Sequence, residues 1–198
     1  MKKFIFILSV AFLATVLFNA CKPKDPSGNT STTDEGVVIN GVKWATRNIG
    51  ATGTFVTNPQ DNGGYYQWNR KDTANFLLPG AYFDSDYPTA TSWLATNNPC
   101  PSGWRLPTDM ELEGLGEGTW TTKGREFGTA PNTIFLPAAG WRYAGGGLSG
   151  AGEYGGYWSS TENSSINVNA YNLHFGSGWA NMNNVNKVYG HSVRCVAE

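Results

Sequence analysis

The sequence predicts an α+β fold of short strands and long loops with one or two short helices. Three observations point there. The chain has 198 residues, a length that suits one folded domain. Glycine occupies 25 positions and charged residues make up only 15%, so turns punctuate the chain closely. Short runs of apolar and aromatic residues recur between those turns, and only one segment carries a clear helix start.

Residues 1–20 read as a signal peptide. Lys2 and Lys3 give a positive start, and residues 4–18 are apolar except for Ser9 and Thr15. Such a stretch is short for a membrane span and fits an export signal. It ends Leu17-Phe18-Asn19-Ala20-Cys21, which resembles the lipobox of bacterial lipoproteins, although Leu is usual where Phe18 stands. The resemblance implies that Cys21 is lipidated and becomes the mature N-terminus; the alternative is simple secretion with Cys21 a free thiol. More than one acyl chain anchors firmly, since a single chain binds only marginally. Residues 22–35 contain no large apolar side chain, so residues 21–35 read as a lipidated cysteine and a flexible tether. The location expected is the outer membrane, on its periplasmic or cell-surface face.

The remaining cysteines, Cys100 and Cys195, form an even pair in an exported chain. A disulfide is the default expectation, with two buried thiols as the alternative. It would stabilise the fold by about 4–5 kcal/mol in the chain-entropy model. No Cys-x-x-Cys is present, and neither His174 nor His191 has a neighbour at metal-ligand spacing.

The folded domain is expected over residues 36–198. Asn40-Gly41 lies between Val37-Val38-Ile39 and Val42-Lys43-Trp44, a strong hairpin signal. Residues 50–99 read as loops and short strands, with a short helix near residues 90–95. Thr108 and Glu111 form a capping box, starting a helix of about two turns that Gly114 or Gly116 ends. Residues 133–137 read as a strand. Residues 140–156 hold eight glycines and read as a mobile loop. Residues 157–161, 170–175 and 192–196 read as strands, the last with Val193 and Cys195 on one face.

Four blocks then come into view together. They are Cys100-Pro101-Ser102-Gly103-Trp104-Arg105-Leu106-Pro107-Thr108, Leu136-Pro137-Ala138-Ala139-Gly140, Gly156-Tyr157-Trp158-Ser159-Ser160-Thr161 and Gly190-His191-Ser192-Val193-Arg194-Cys195-Val196. In this order they resemble the Fibrobacter succinogenes major paralogous domain, over about residues 36–198. The resemblance implies a C-type lectin-like fold with paired terminal strands and loops that carry binding. Arg105-Leu106-Pro107-Thr108 and Ser192-Val193-Arg194-Cys195 also resemble the sulfatase-modifying branch of that fold, which needs reactive cysteines. Only Cys195 stands in the right region. Within residues 157–196, Asn163, Asn167, Asn169, Asn172, Asn181, Asn183, Asn184 and Asn186 look like the variable region of diversity-generating retroelement targets, which implies a diversified binding surface. A polar loop of turn-forming asparagines is the plainer alternative.

Composition and motifs exclude several functions. A net charge of −1 and a pI near 6.1 argue against nucleic acid as a partner. Gly145–Gly150 and Gly150–Gly155 match G-x-G-x-x-G literally, but they follow other glycines rather than a strand. No catalytic constellation is visible, so no enzyme is expected; His174 has no adjacent nucleophile. No cofactor is expected either. Asp84-Ser85-Asp86 and Glu111/Glu113 offer oxygen ligands for Ca²⁺, but the Glu-Pro-Asn and Trp-Asn-Asp signatures of calcium-dependent lectins are absent. Trp44, Trp104 and Trp158 read as core.

The binding face expected comprises residues 141–143, 163–172 and 179–186. Its candidates are Trp141, Arg142, Tyr143, Asn163, Asn167, Asn169, Asn172, Trp179, Asn181, Asn183, Asn184 and Asn186. Rigid aromatics beside adaptable amides suit a glycan or surface-protein ligand. Membrane contact is expected through the lipid anchor alone. The alternatives are a degenerate sulfatase-modifying-type enzyme and a structural component of an envelope or appendage complex.

Overall fold

The computed structural model describes residues 31–73 and 90–198. Cys21, the signal peptide and Asp84-Ser85-Asp86 lie outside the described residues. Within them, the protein is β-rich: fourteen short strands form four antiparallel sheets around a single five-residue α-helix. This corrects the α+β class and the C-type lectin-like fold expected with it. The missed strands explain the difference. Residues 119–129 and 180–186 are built from Thr, Gly, Asn and Arg, which local preference places in loops, yet cross-strand hydrogen bonds hold them extended.

The first hairpin, β1 (Val37–Ile39) and β2 (Val42–Trp44), turns through Asn40 at φ 50° and Gly41 at φ 82°. Both positive angles are what a type I′ turn requires. β3 (Tyr66–Gln67) follows. In place of the helix expected near residues 90–95 there is one 3-10 turn at Ala95–Asn97. After β4 (Trp104–Arg105) comes α1 (Asp109–Glu113), with the Thr108/Glu111 capping box in place and Gly114 ending it. β5 (Thr119–Thr121), β6 (Gly124–Thr129) and β7 (Asn132–Pro137) form one sheet in chain order.

The glycine-rich stretch 140–156 is not a mobile loop. It contains β8 (Trp141–Arg142) and β9 (Leu148–Ser149), closed by the bonds Tyr143 N–H to Gly147 O and Gly146 N–H to Tyr143 O. β10 (Gly155–Glu162), β11 (Asn169–Phe175) and β12 (Ala180–Asn186) form the central sheet. The expected last strand at 192–196 is interrupted: β13 is Gly190–His191 and β14 is Val196–Ala197. Between them Ser192, Val193, Arg194 and Cys195 are all buried, so the alternation expected there is absent.

The central sheet is packed on both faces. One face carries Tyr157, Leu173, Phe175 and Ala180 against Leu112, Phe127, Leu136 and Trp44. The other carries Trp158 and Ala170 against Trp68, Trp104, Phe55 and Val193. Trp44, Trp104 and Trp158 are core residues, as expected. Among the described residues no helix is long and apolar enough to cross a membrane.

Three features close the ends of the chain. Val196 of β14 pairs with Trp44 of β2 and with Arg105 of β4. Cys100 and Cys195 form a disulfide with Cα atoms 6.2 Å apart. Ser31 bridges Phe55, and the buried Asp34 carboxylate accepts from Thr46 Oγ1 at 2.9 Å and from Arg47 Nε at 3.1 Å. Residues 31–35, expected in the tether, are therefore part of the folded unit.

Arg194 is fully buried, and amide and carbonyl oxygens solvate its charge. Its guanidinium donates to Asn48 Oδ1 twice (3.0 and 2.8 Å), to Ala45 O (3.0 Å) and to Phe135 O (3.0 Å). Asn48 Nδ2 donates on to Tyr157 Oη at 3.1 Å, whose hydroxyl donates to Pro137 O at 2.8 Å. Burial pushes Arg194 down to about 10, so it stays charged at neutral pH. Arg194→Met is expected to cost roughly 3 kcal/mol or more, because it orphans several buried acceptors at once. Arg194→Lys should recover only part of that, since it keeps the charge and loses the fork. Denaturant unfolding of the three proteins checks both.

Candidate functional site

Register decides which side chains of the central sheet share a face. β11 pairs with β12 without a break from Asn169↔Asn186 to Phe175↔Ala180. Alternation then places Asn172 and His174 of β11 with Asn181 and Asn183 of β12 on one face. Across β10, Trp158 stands opposite Asn172 and Gly156 opposite His174. Asn169, Asn184 and Asn186 fall on the other face, with Leu173 and Met182.

Six rings join on the first face. Trp141 of β8 meets His174 at 5.5 Å between centroids, Tyr143 at 6.1 Å and Tyr154 at 6.1 Å. Trp179, in the β11–β12 turn, meets His174 at 4.9 Å and Tyr154 at 6.2 Å. Tyr143 meets Tyr189 at 5.6 Å. Most of these contacts are edge-to-face, the arrangement that ring quadrupoles favour. The cluster is partly open: Tyr143 is 46% exposed and Trp179 37%. Asn181 and Asn183 are exposed beside it.

Beneath the rings lie polar groups without partners. Among the described residues, both amide atoms of Asn172 and Nε2 of His174 are buried without a hydrogen-bond partner, and His191 is buried against the Gly156 backbone. His191 stands edge-on to Trp158 at 4.6 Å. Its Nδ1 lies 2.1 Å from where a Cβ on residue 156 would sit, so only glycine admits the ring. Burial, reinforced by His174, pushes His191 down to about 3, and burial also lowers His174. Both imidazoles are thus neutral at pH 7. An unpaired buried polar group costs about 1–3 kcal/mol, which the surrounding ring packing must offset.

The turn bearing Trp179 is held from another sheet. Arg125 of β6 is buried, and its Nη1 donates to Gly176 O at 2.6 Å and to Trp179 O at 3.1 Å. Its Nε donates to Glu117 O. Gly176 N–H closes the same turn onto Trp179 O at 3.0 Å. One guanidinium therefore sets both ends of the segment that presents the indole.

The structure brings together Trp141, Tyr143, Trp179, Asn172, Asn181 and Asn183 of the expected set. Arg142 borders them: its Nη1 donates to Gly146 O at 2.6 Å, and it stands 5.1 Å from the Tyr65 ring. The remaining asparagines lie elsewhere. Asn163 is buried, and its Oδ1 caps Ser165 N–H at 3.0 Å and Ile166 N–H at 3.3 Å, a structural turn. Asn167 is exposed in that same connection. Asn169 Nδ2 donates to Asn184 Oδ1 at 2.8 Å on the opposite face, and Asn186 Oδ1 accepts from Val188 N–H at 3.1 Å. Sequence reasoning missed Tyr154 and Tyr189 and set His174 aside. Their neighbours in space come from other strands, so no local pattern signals them.

Chemically the face offers aromatic walls, amides and neutral imidazoles. Among the described residues no group of three or more His, Cys, Asp or Glu is placed to hold a metal. Glu111, one of the expected carboxylate candidates, is taken up by the helix cap and by Arg105 at 2.7 Å. Residues 120–196 match a family model described as a domain of unknown function (DUF8237). That stretch spans β6 to β13 and contains all six rings. Neither the curated proteins nor the solved structures yield a match.

Two outcomes are expected. His191 binds a proton near pH 6.5 when unfolded, but only near pH 3 when folded. Stability should therefore fall as pH drops below about 6.5, by about 1.4 kcal/mol per pH unit for one proton. Denaturant unfolding at pH 7.5 and 5.0 reads this, and His191→Phe should flatten it. Arg125→Met should lower stability by about 2–4 kcal/mol and red-shift Trp179 emission as its turn loosens. Unfolding and tryptophan fluorescence, with Trp179→Phe to assign the signal, check this.

Proposed function

We propose that the chain is a lipid-anchored binding module of a bacterial envelope, taking its ligand on the aromatic and amide face of the central sheet. The observation that carries this reading is the joined set of rings, partly open at Trp179 and Tyr143, beside the exposed amides of Asn181 and Asn183. Rigid aromatic side chains give contact area at little conformational cost, and amides give adaptable hydrogen bonds. Two strands and the edge of a neighbouring sheet fix these side chains, so little ordering is needed on binding. The lipobox-like ending at Cys21 supports the anchor, and the four sequence blocks support kinship with the Fibrobacter succinogenes major paralogous domain. The outer membrane, on either face, is the location this reading implies. A degenerate sulfatase-modifying enzyme is disfavoured, since Cys195 is buried and bonded to Cys100.

The reading makes a paired expectation. Radiolabelled palmitate should enter the full chain expressed in a lipoprotein-processing bacterium, and Cys21→Ser should abolish labelling. The full chain, probed against glycan arrays and immobilised surface proteins, should retain at least one partner that Trp141→Ala/Trp179→Ala loses by tenfold or more. A partner retained by that double variant would move the binding site elsewhere.

A further inference from the structure

We propose that the aromatic face takes an uncharged saccharide, stacked through its C–H face on Trp179 and Trp141 and hydrogen-bonded through its hydroxyls to His174, Asn181 and Asn183. This rests on the reading that this face is the ligand surface, and goes beyond it by naming the ligand's chemistry.

Shape comes first. Trp141 and Trp179 stand against one imidazole, His174, at 5.5 and 4.9 Å and nearly perpendicular to it, at 89° and 84°. Two indoles therefore border a single polar edge. A sugar ring has the complementary form: C–H bonds across its face and hydroxyls around its rim. An indole covers the first, and amide and imidazole nitrogens meet the second.

Charge comes next. The polar groups of this patch are amides, phenols and neutral imidazoles. Arg142 is engaged with Gly146 O and the Tyr65 ring. Lys187 and Glu162, farther along the same sheet, are buried and paired at 3.0 Å. Sulfate, phosphate and carboxylate are held best by charge-assisted, often bidentate bonds, which this face does not present. The exposed Glu153, next to Tyr154 in the chain, repels an anion instead.

Nε2 of His174 and both amide atoms of Asn172 lie beneath the rings without partners among the described residues. Asn172 offers a donor and an acceptor together, and a hydroxyl is both. A hydroxyl that reaches Nε2 of His174 as the partly open rings part would relieve a cost already present in the free protein. A protein partner fits less well. A standard interface covers about 800 Å² on each side, whereas the large apolar side chains exposed here are Tyr143, Leu148 and Trp179.

The test uses the full-length chain in detergent with three probe sets. These are neutral hexose and N-acetylhexosamine oligosaccharides, their sialylated and sulfated counterparts, and a panel of purified surface proteins. Calorimetry follows every array hit. Neutral oligosaccharides should bind, and Trp179→Ala and His174→Phe should each weaken binding at least tenfold. Asn184→Ala, on the opposite face, should leave it unchanged. His174→Phe keeps the ring packing, so its loss separates a hydrogen bond from a folding defect. Binding confined to acidic glycans or to a protein, and lost in Trp179→Ala, would overturn the saccharide class while leaving the binding face standing. Neutral glycan binding that survives both variants would overturn the face as well. No binding to any neutral probe would overturn the proposal.

Discussion

The guanidinium of Arg194 gathers three remote parts of the chain around one buried charge. It bonds the segment after the first hairpin at Ala45 and Asn48, strand β7 at Phe135 and, through Asn48, the phenol of Tyr157. A planar fork satisfies several acceptors at once only if each is held in place. Much of the fold can be seen as meeting that condition. β14, two residues further along the chain, pairs with β2 and β4, and the adjacent Cys195 is bonded to Cys100. Between β13 and β14, residues 192–195 are all buried, and Arg194 faces inward among them.

The central sheet then divides labour between its faces. One closes a core over α1 and Leu173. The other closes a second core at Trp158 and Ala170, but toward His174 it runs out of aliphatic cover. There the rings of Trp141, Tyr154 and Trp179 take over. Rings can shield polar atoms without bonding them, which is how Asn172, without a partner among the described residues, persists below. Protonation of either histidine would place a charge where burial strips away its water, so the packing that builds this face also ties it to neutral pH. Arg125 holds the Trp179 turn from β6, so the exposed indole is fixed by a side chain about fifty residues away.

Legibility in the sequence followed the range of the interaction. The Asn40-Gly41 turn and the Thr108/Glu111 cap depend on neighbours within four residues, and both appear where expected. The tryptophan core needed only residue type, and the disulfide only an even pair of cysteines. The strand status of residues 180–186 was hidden, because asparagine favours turns and only pairing with β11 overrides that. The same pairing split the asparagines. Residues 172, 181 and 183 reached the ring face, while 169, 184 and 186 went to the other, and Asn163 served its own turn. No composition argument could make that division, since it rests on a register set by seven cross-strand pairs.

The sequence by itself thus determined the local devices: the turn, the cap and the pairing of two cysteines. Each is written in short-range stereochemistry or simple counting. Tertiary structure alone decided the β-rich class, the order within the glycine-rich stretch and the membership of the aromatic face. Those depend on hydrogen bonds between distant strands and on which side of a sheet a residue lands, and a shift of one residue in pairing would reverse the second.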